Sequence, residues 1–393
     1  MTSSAKENTN PEQLVDQYSR TISYLRLSIT DRCNLRCLYC MPQRGVDSSS
    51  LVKCTDLLSY EELLRIVGVA VGMGMNKLRL TGGEPLVRNG VMDFIRSLAG
   101  IKGLEDIRLT TNGVLLHEKA AELQRAGIRN LNISLDTLKP ERFIEITGSD
   151  LFAQVWQGIQ TACDLGFNVK LNVVAMKGIN DDEFADFARL ATQTPAQDGL
   201  VSLAPGMDKE RRAIQVRFIE FMPIGNKESW DKRRFIAASE LKEIIATLGT
   251  LEPDGQGWPG KRAESETPSV AGAIGGAGAT FPGSRMEGPA RVYRLTLPDG
   301  QTGRVGFISP ISHHFCDECN RLRLTSEGRL RACLLHDNET DLKAIVRHGG
   351  TDRDIQTAIQ QTILAKPKGH TLQDDLAKPG QVNCQGHMSR IGG

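Results

Sequence analysis

The 393-residue chain has almost no net charge and no long apolar run. Lysine and arginine together number 48 and the acidic residues 47, which leaves a formal net charge of +1. A chain so balanced exerts no global attraction on nucleic acid or on an anionic membrane, and no apolar stretch approaches the roughly 18 residues that a membrane-spanning helix needs. Residues 1–20 are polar and lack the apolar core of a signal peptide. We therefore expect a cytoplasmic protein with no nucleic-acid partner and no membrane partner, in which any anion site is local.

The cysteines fall into groups that lack the fourth member a structural metal site usually has. Six of the nine form two groups, spaced C-x3-C-x2-C and C-x2-C-x13-C: Cys33, Cys37 and Cys40, and Cys316, Cys319 and Cys333. Because the cytosol keeps thiols reduced, such groups are more typical of metal ligands than of disulfides. An open ligand position is typical of a reactive metal site. The remaining three are scattered, and we expect them to be small buried apolar side chains: Cys54, Cys163 and Cys384.

Each group leaves more than one interpretation open. For the first, three thiolates on one short loop favour a [4Fe–4S] cluster with one iron free for a small molecule; the alternatives are a zinc site completed elsewhere and unligated thiols. For the second, a zinc ribbon completed by His313, His314 or His336 competes with a cluster. Arg321 and Arg323 alternate in "RLRLT" between its cysteines, so both guanidiniums share one face of a strand. That pattern favours an anion site suited to phosphate.

Strand-like and helical patterns alternate from about residue 21 to 225. The strand-like runs are 22–29, 77–80, 106–110, 130–135, 169–174 and 214–221, and the helical patterns at 59–74, 115–127 and 151–166 each stop at glycine. Ser59 and Glu62 predict a capping box at the start of the first helix. Such alternation predicts an α/β protein with a parallel sheet and helices outside. Six units fit an incomplete (β/α)6 barrel or an open doubly wound sheet, and in both the active site lies at the carboxyl ends of the strands.

Composition divides the chain into four parts. Residues 1–20 are a polar N-terminal tail, and residues 21–250 are the predicted barrel. Residues 251–290 are rich in Gly, Pro and Ala, which predicts a linker or flexible loop. Residues 291–393 form a C-terminal extension with a polar, mobile tail; its β-like runs are at 291–297 and 303–308, and its helical patterns are near 338–365.

The segment "RLTGGEPLVR", residues 79–88, follows the second predicted strand. Two glycines at the carboxyl end of a strand let the backbone approach a ligand closely, although "GGEP" alone also fits a simple turn. Together with the cysteine loop after the first strand, it resembles the radical S-adenosylmethionine enzymes. The resemblance implies a [4Fe–4S] cluster on the first cysteine group, S-adenosylmethionine on its fourth iron, and a partial (β/α)6 barrel.

The second cysteine group indicates which family of radical S-adenosylmethionine enzymes the sequence resembles. With "NRLRLT" between its cysteines and "MSRIGG" at the end of the chain, the sequence is similar to the GTP 3′,8-cyclase family from about residue 22 to 393, interrupted at 195–213 and 252–290. The resemblance implies the first step of molybdenum cofactor biosynthesis. S-adenosylmethionine would give a 5′-deoxyadenosyl radical, which takes hydrogen from C3′ of GTP before C3′ bonds to C8 of guanine. It also implies a second [4Fe–4S] cluster, whose open iron binds guanine.

The functional positions of the family carry over residue by residue. For S-adenosylmethionine they are Tyr39, Gly83, Glu84, Ser134 and Met222. For GTP they are Arg26, Arg79, Thr110, Lys170, Arg321, Leu322 and Arg323, with Thr111 as the alternative register for Thr110. Gly392 and Gly393 match the diglycine tail, which the resemblance places in the active site. The basic positions would gather local positive charge for a triphosphate, whereas each taken singly also fits an ordinary surface charge.

Two other functions are alternatives to the cyclase activity that the resemblance implies. A peptide-modifying radical S-adenosylmethionine enzyme with auxiliary clusters would usually carry more C-terminal cysteines, and only Cys384 follows the second group here. A zinc-stabilised binding protein without enzymatic activity would hold zinc and no iron. As partners we expect GTP, an electron donor that the sequence does not identify, the next enzyme of the pathway, and a second copy of the chain in a homodimer.

Overall fold

The computed structural model describes residues 14–40, 52–192, 214–224, 230–254, 288–370, 372 and 388–392. In this part of the chain, twelve strands form one sheet in the order β12-β11-β10-β1-β2-β3-β4-β5-β6-β9-β8-β7. The strands are β1 Tyr24–Ser28, β2 Lys77–Thr81, β3 Asp106–Thr111, β4 Asn130–Ser134, β5 Asn168–Ala175, β6 Gln215–Glu220, β7 Thr250–Pro253, β8 Arg291–Thr296, β9 Thr302–Ile308, β10 Arg321–Leu324, β11 Arg329–Arg331 and β12 Glu339–Asp341. The helices are α1 Tyr60–Gly72, α2 Val91–Ala99, α3 Leu116–Arg125, α4 Pro140–Thr147, α5 Phe152–Asp164, α6 Phe184–Thr192, α7 Ala238–Ala246, α8 Leu342–Arg347, α9 Asp352–Leu364 and α10 Met388–Ile391.

The first six strands decide the fold class. Strands β1 to β6 are neighbours in chain order, and every adjacent pair is parallel. A doubly wound sheet reverses its strand order at a switch point, whereas a sheet that advances one strand at a time, with a helix after each strand, curls toward a barrel. The strand order therefore rules out the open doubly wound sheet and confirms the incomplete (β/α)6 barrel.

The C-terminal extension continues this barrel at both edges. Strand β10 pairs in parallel with β1, and β9 pairs in parallel with β6. Beyond them the pairing is antiparallel, through β11 and β12 on one side and through β8 and β7 on the other. The β-like runs predicted at 291–297 and 303–308 correspond to β8 and β9. Barrel and extension therefore share one sheet, while most of the predicted linker lies outside the described residues.

Side-chain alternation separates the apolar core from the inside of the barrel. On β1, Leu25 and Leu27 are buried in the main core. Leu322 on β10 lies opposite Leu25 and is buried in the same core. Because successive residues of a strand face opposite sides, Arg26 and Arg323 face the inside of the barrel. The strands thus bury leucine against the helices and present basic side chains to the barrel interior.

The start of α1 follows its sequence signal closely. The Ser59 hydroxyl accepts a hydrogen bond from the N–H of Glu62 at 3.2 Å, and the Glu62 carboxylate accepts one from the N–H of Ser59 at 2.7 Å. This is the predicted capping box, which satisfies two N–H groups that a helix end otherwise leaves open. The helix then runs from Tyr60 to Gly72, inside the predicted range.

The scattered cysteines do not share one environment. Cys163 is buried in the main core, as predicted. Cys54 is exposed, so the prediction of a buried side chain there is wrong. Its sulfur accepts a hydrogen bond from Arg32 Nη2 at 2.7 Å, and this polar contact takes the place of apolar packing. Cys384 lies outside the described residues. Within those residues, no helix combines the length and the hydropathy needed to cross a membrane.

Candidate active site

The first cysteine loop begins beyond the carboxyl end of β1 and lies against the end of α4. The N–H of Leu38 donates to the carbonyl of Ile146 at 3.0 Å, and the N–H of Cys40 donates to the carbonyl of Cys37 at 3.0 Å. These bonds fold the loop so that its cysteines lie on one short piece of chain. All three thiols are free: Cys33, Cys37 and Cys40.

Burial raises the pKa of all three thiols. The pKa of Cys33 rises to about 11 and that of Cys40 to about 12, while the pKa of Cys37 rises well above its ordinary value. The next cause is a negative neighbour in each case: Glu84 for Cys33, Cys33 for Cys40, and Cys40 for Cys37. Thiolates gathered without a cation oppose one another's ionisation, and metal ligation reverses this because it deprotonates a thiol outright. The donor set therefore fits a thiolate-bound metal cluster.

The glycines after β2 lie directly against the chain that leads into this loop. A Cβ at Gly83 would lie 2.3 Å from the carbonyl oxygen of Arg32, and one at Gly82 would lie 2.3 Å from that of Thr30. The N–H of Gly83 donates to Thr30 at 2.7 Å, and the N–H of Glu84 donates to Arg32 at 2.8 Å. No side chain fits at either glycine. The two glycines thus let the end of β2 pack against the backbone at residues 30–32, which fixes the start of the cysteine loop; their predicted approach to a ligand stays a prediction.

The Glu84 side chain is fully buried and turned toward the end of β3. Its carboxylate accepts hydrogen bonds from the N–H of Leu86 at 3.0 Å, the hydroxyl of Thr111 at 2.9 Å and the N–H of Asn112 at 2.6 Å. Burial raises the pKa of Glu84 to about 7, although these hydrogen bonds act to lower it. Asn112 in turn places its Nδ2 3.6 Å from the sulfur of Cys33. Sequence reasoning missed Asn112, although its place directly after a strand in "TTNG" was a usable signal.

Tyr39 is held by a carboxylate that sequence reasoning also missed. Its hydroxyl donates to Asp136 at 2.6 Å. Burial, and then the charge of Asp136, raise the pKa of Tyr39 well above its ordinary value, and burial raises the pKa of Asp136 to about 6. Asp136 comes two residues after Ser134, the last residue of β4, so its place beyond a strand end could have indicated it. Met222 follows β6 and packs against an apolar cluster formed with the C-terminal tail.

Four arginines occupy one level inside the barrel. Each lies opposite the next on neighbouring parallel strands, in the order Arg323, Arg26, Arg79 and Arg108 on β10, β1, β2 and β3. Burial, and then the charge of Arg321, lower the pKa of Arg323 to about 10. Burial, and then the charge of Arg323, lower the pKa of Arg26 well below its ordinary value. Arg108, at one end of the level, is paired with Asp106 at 2.7 Å. Buried like charges at the other positions oppose one another unless an anion joins them, so this level fits a polyphosphate.

Polar side chains continue the same inner face across the later strands. Thr110, Asn132, Lys170 and Gln215 lie opposite one another on β3 to β6, and Ser134, Asn172 and Arg217 do so one level further along β4 to β6. Arg79 Nη1 lies 3.4 Å from the hydroxyl of Thr110, whereas Thr111 bonds to Glu84 on the other face of the strand. Thr110 is therefore the threonine that the structure places beside the arginines.

Three members of this inner face were absent from the predicted site. Tyr24 accepts a hydrogen bond from Arg79 Nε at 2.5 Å; burial raises its pKa, but the charges of nearby arginines outweigh burial and lower it. Arg217 lies on β6, and Arg108 lies on β3 two positions before Thr110. The strand period of two could have found Arg108, because a residue two positions from a predicted contact shares its face.

Leu322 does not share the face of its neighbours Arg321 and Arg323. Its side chain is 0% exposed and packs in the main core. Any contact that this position makes with GTP therefore belongs to its backbone.

The second cysteine group is assembled from separated pieces of chain. Cys316 begins a short 3-10 turn, Cys319 precedes β10, and Cys333 comes two residues after β11. Burial raises the pKa of Cys316. Burial would also raise the pKa of Cys319, but the charges of Arg321 and Lys366 outweigh it and lower this pKa to about 6. A thiol that ionises near neutral pH is well suited to bind a metal.

The zinc alternatives for the two cysteine groups predict ligands that converge on a single ion. Within the described residues, which include His313, His314 and His336, no three His, Cys, Asp or Glu side chains converge to hold one metal ion. A [4Fe–4S] cluster takes its thiolates on different irons, so it does not require such convergence.

The described part of the C-terminal tail, residues 388–392, includes a short helix and lies against the inner face of the barrel; the predicted mobility of the tail stays a prediction. Ile391 is buried in an apolar cluster with Ile224, Ile311, Leu335 and Leu372. Arg323 Nη1 donates to the carbonyl of Gly392 at 2.6 Å. A Cβ at Gly392 would lie 2.0 Å from the hydroxyl of Thr81 on β2. Gly393 lies outside the described residues.

The same tail touches both halves of the site. The backbone N–H of Ser389 lies close enough to the thiol of Cys40 to act to lower its pKa, and Arg390 forms an ion pair with Glu327 in the turn between β10 and β11. The tail therefore joins the first cysteine loop to the strands that carry Arg323.

Two known protein families match separate parts of the chain. Residues 27–191 match the Radical SAM superfamily, and residues 276–372 match Molybdenum Cofactor Synthesis C. A partial barrel with a three-cysteine loop after its first strand defines a radical S-adenosylmethionine enzyme, which implies S-adenosylmethionine and one [4Fe–4S] cluster as cofactors.

Full-length relatives identify the family. The chain is 41% identical over 381 residues to a GTP 3',8-cyclase of Heliobacterium modesticaldum, covering 97% of this chain and 100% of that protein. It is 42% identical over 380 residues to one of Pelotomaculum thermopropionicum, covering 96% and 99%. The chain belongs to the GTP 3′,8-cyclase family. Among solved structures, Streptococcus suis SuiB bound to S-adenosylmethionine overlaps 57% of this chain and 47% of its own, at 15% identity and a TM-score of 0.42.

Proposed function

We propose that this chain converts GTP to (8S)-3′,8-cyclo-7,8-dihydroguanosine 5′-triphosphate, the first step of molybdenum cofactor biosynthesis. Membership of the GTP 3′,8-cyclase family supports this activity. The observation that carries it on this chain is the level of four arginines inside a barrel whose interior also meets two three-cysteine groups. A polyanion site beside metal-binding thiols suits radical chemistry on a nucleoside triphosphate.

The first cysteine group would hold the [4Fe–4S] cluster, with one iron open to S-adenosylmethionine. When bound, these groups supply the one-electron chemistry that removes hydrogen from the ribose of GTP. The chain supplies binding and orientation. The backbone at Gly83 lies against the start of the loop, and Tyr39 is fixed by Asp136. We assign Tyr39, Gly83, Glu84, Ser134 and Met222 to S-adenosylmethionine; Glu84 acts by holding Asn112 and the end of β3 in place.

Cys316, Cys319 and Cys333 would hold a second [4Fe–4S] cluster, and its open position would take the guanine base. Arg321 and Arg323 follow Cys319 directly on β10, so the strand links this cluster to the arginine level. The triphosphate would then lie along the basic inner face formed by Arg26, Arg79, Thr110, Lys170, Arg321 and Arg323, with Arg108 and Arg217 added from the structure. Binding would offset the burial and the repulsion from Arg323 that together lower the pKa of Arg26.

Isotope transfer tests the substrate. The anaerobically reconstituted and reduced chain is mixed with S-adenosylmethionine and with GTP deuterated at C3′. We expect deuterium in 5′-deoxyadenosine together with the cyclised triphosphate, both measured by mass spectrometry. Deuterium transfer from another nucleotide or from a peptide, with none from GTP, would show that the substrate assignment is wrong.

Cysteine variants test the two-cluster arrangement. Cys33→Ala should abolish cleavage of S-adenosylmethionine, whereas Cys316→Ala should retain some cleavage and lose cyclisation. Cys54→Ala is the matched control, because Cys54 is exposed and belongs to neither group, and it should keep full product formation. Full product formation by both Cys33→Ala and Cys316→Ala would refute the arrangement.

The reaction sets the expected partners. Besides GTP, it needs a one-electron donor, and its product is the substrate of the next enzyme in the pathway, which is a further expected partner. We place the chain in the cytoplasm, where thiols stay reduced, and we expect a homodimer; gel filtration of the reconstituted protein measures this state.

A further inference from the structure

Lys366 is a buried lysine that the reaction described above does not use. It follows α9 and is 2% exposed. Its ammonium donates to the carbonyl of Arg321 at 2.9 Å and to the carbonyl of Ala332 at 2.5 Å. Arg321 comes two residues after Cys319, and Ala332 comes directly before Cys333. One buried ammonium thus ties together the backbone beside two of the three cysteines of the second group.

The charge of Lys366 needs a negative partner, because a buried ammonium costs several kcal/mol when it is not compensated. Two carbonyl oxygens accept from two of its three N–H groups, but they do not balance its charge. Within the described ranges, no carboxylate forms an ion pair with Lys366, and the groups whose negative charge would act on it are Cys319 and Cys333, once a metal cluster has deprotonated them. A thiolate-bound cluster at this place would supply the missing negative charge.

A second buried cation holds the remaining cysteine in a different way. Arg20 donates to the carbonyl of Cys316 at 2.7 Å, and also to the carbonyls of Pro367 at 2.7 Å and Lys368 at 3.0 Å. Its charge is balanced by Asp16, 2.6 Å from its Nε. Residues 366–368 are therefore linked to the backbone beside all three cysteines, directly by Lys366 and, at Cys316, through Arg20. Of the two cations, Lys366 is the one whose charge would be balanced by the cysteine sulfurs.

We propose that Lys366 is a positioning residue for the second cluster: it fixes the spacing of Cys319 and Cys333 and places a positive charge beside the cluster. This inference rests on the second cluster of the proposed function. Removing the charge should disfavour the more negative reduced state, so a cluster that survives without it should have a more negative reduction potential.

The test compares Lys366→Met with Lys242→Met after anaerobic reconstitution. Lys242 is also ordered, with its ammonium 2.7 Å from the Tyr293 hydroxyl, and lies on α7, away from both cysteine groups. Wild type and Lys242→Met should hold about eight irons per chain. Lys366→Met should fall toward about four, or keep the second cluster with a shifted potential, while S-adenosylmethionine cleavage persists. Lys366→Arg, which keeps the charge, should retain the second cluster.

Each other outcome has a definite meaning. About eight irons in Lys366→Met, with the wild-type potential of the second cluster, would overturn this inference alone. About four irons in the wild-type chain would remove the second cluster from the proposed function, and this inference with it. If Lys366→Met also loses the first cluster through misfolding, Lys366→Gln, which keeps a donor without the charge, decides the question: a wild-type iron content and potential in that variant would overturn the inference.

Discussion

Gly392 is placed where one methyl group decides whether the tail can lie against β2. Its φ is +79°, and a Cβ would come within 2.0 Å of the Thr81 hydroxyl. We expect Gly392→Ala to lower cyclisation at least about tenfold, which corresponds to roughly 1.4 kcal/mol in the barrier, because the tail must leave its hydrogen bond to Arg323. Cleavage of S-adenosylmethionine, measured as 5′-deoxyadenosine, should fall much less.

Gly349 provides the matched control for this substitution. It has the same φ of +79°, but a Cβ there would meet nothing within 4 Å. Gly349→Ala therefore carries the left-handed strain of about 1–2 kcal/mol without the collision, and should cyclise GTP normally. Adding Thr81→Ala to Gly392→Ala should recover part of the activity; equal activity of the two glycine variants would contradict the role of the contact with Thr81.

Glu84 should make the metal-free chain less stable as pH rises toward neutrality. Its pKa in the folded chain is about 7, against an ordinary value of 4.5, so the folded state binds this proton more tightly than the unfolded state. The stabilisation is complete below pH 4.5 and is lost as pH rises to 7, by roughly 3 kcal/mol at about 1.4 kcal/mol per pKa unit. Urea unfolding at several pH values measures this loss.

The contribution of Glu84 is isolated by comparing how the free energy of unfolding depends on pH in two variants. Glu84→Gln does not titrate, so its free energy of unfolding should lack this part of the pH dependence. It will be less stable throughout, because its single amide oxygen replaces only one of the two carboxylate oxygens that accept hydrogen bonds from Leu86, Thr111 and Asn112. Glu118→Gln, at an exposed position on α3, should keep the wild-type slope. A wild-type slope in Glu84→Gln would assign the pH dependence to other groups.

Helix α10 has only four residues, too few to be stable by itself, so its contacts decide its position. The Arg390–Glu327 pair is one such contact. Because this pair is partly exposed, it should contribute at most about 1 kcal/mol, yet a helix so short has few other anchors. We expect Glu327→Gln to lower cyclisation several-fold and to speed hydrogen exchange at 388–392, with iron content unchanged.

Charge exchange separates this pairing from a general effect of the substitution. Glu327→Arg combined with Arg390→Glu restores opposite charges and should recover most of the activity. Glu240→Gln, which removes an exposed ion pair with Lys177 on the outside of the barrel, should change nothing. Slow exchange of the tail in Glu327→Gln would mean that the apolar contacts of Ile391 suffice to hold it.

The predicted strands, helix ends and capping box follow from local sequence patterns, whereas the pairing of strands that are distant in the sequence does not. Strand runs, helix stops and the Ser59 capping box were predictable because each depends on neighbours within a few residues. The strand-end glycines indicated a close approach of the backbone, but not that its partner is the chain at Arg32. The pairing of β10 with β1 brings Arg323 beside Arg26, which is far away in the sequence, and no local pattern encodes it. The role of Lys366 was also unpredictable, because its partners are backbone carbonyls of residues distant in the sequence, and a carbonyl leaves no mark in the sequence.

At the scale of the whole molecule, barrel and extension form one continuous sheet. Without the extension, β1 would lose β10 and β6 would lose β9, which would expose two unpaired edges. Unpaired edges of apolar strands promote association between chains. Part of the site would be lost as well, because β10 carries Arg321 and Arg323. The extension therefore completes both the fold of the barrel and its basic interior.

Splitting the chain tests this dependence directly. Residues 1–254 expressed alone should aggregate or elute as oligomers in gel filtration, whereas the same fragment co-expressed with residues 288–393 should copurify with it, because both edges are then paired. A chain ending at residue 372 is the matched control: it keeps β9 and β10 and loses the tail, so it should be soluble and bind iron but fail to cyclise GTP. A soluble monomer of residues 1–254, as stable to urea as the full chain, would show that the barrel does not need its added edges.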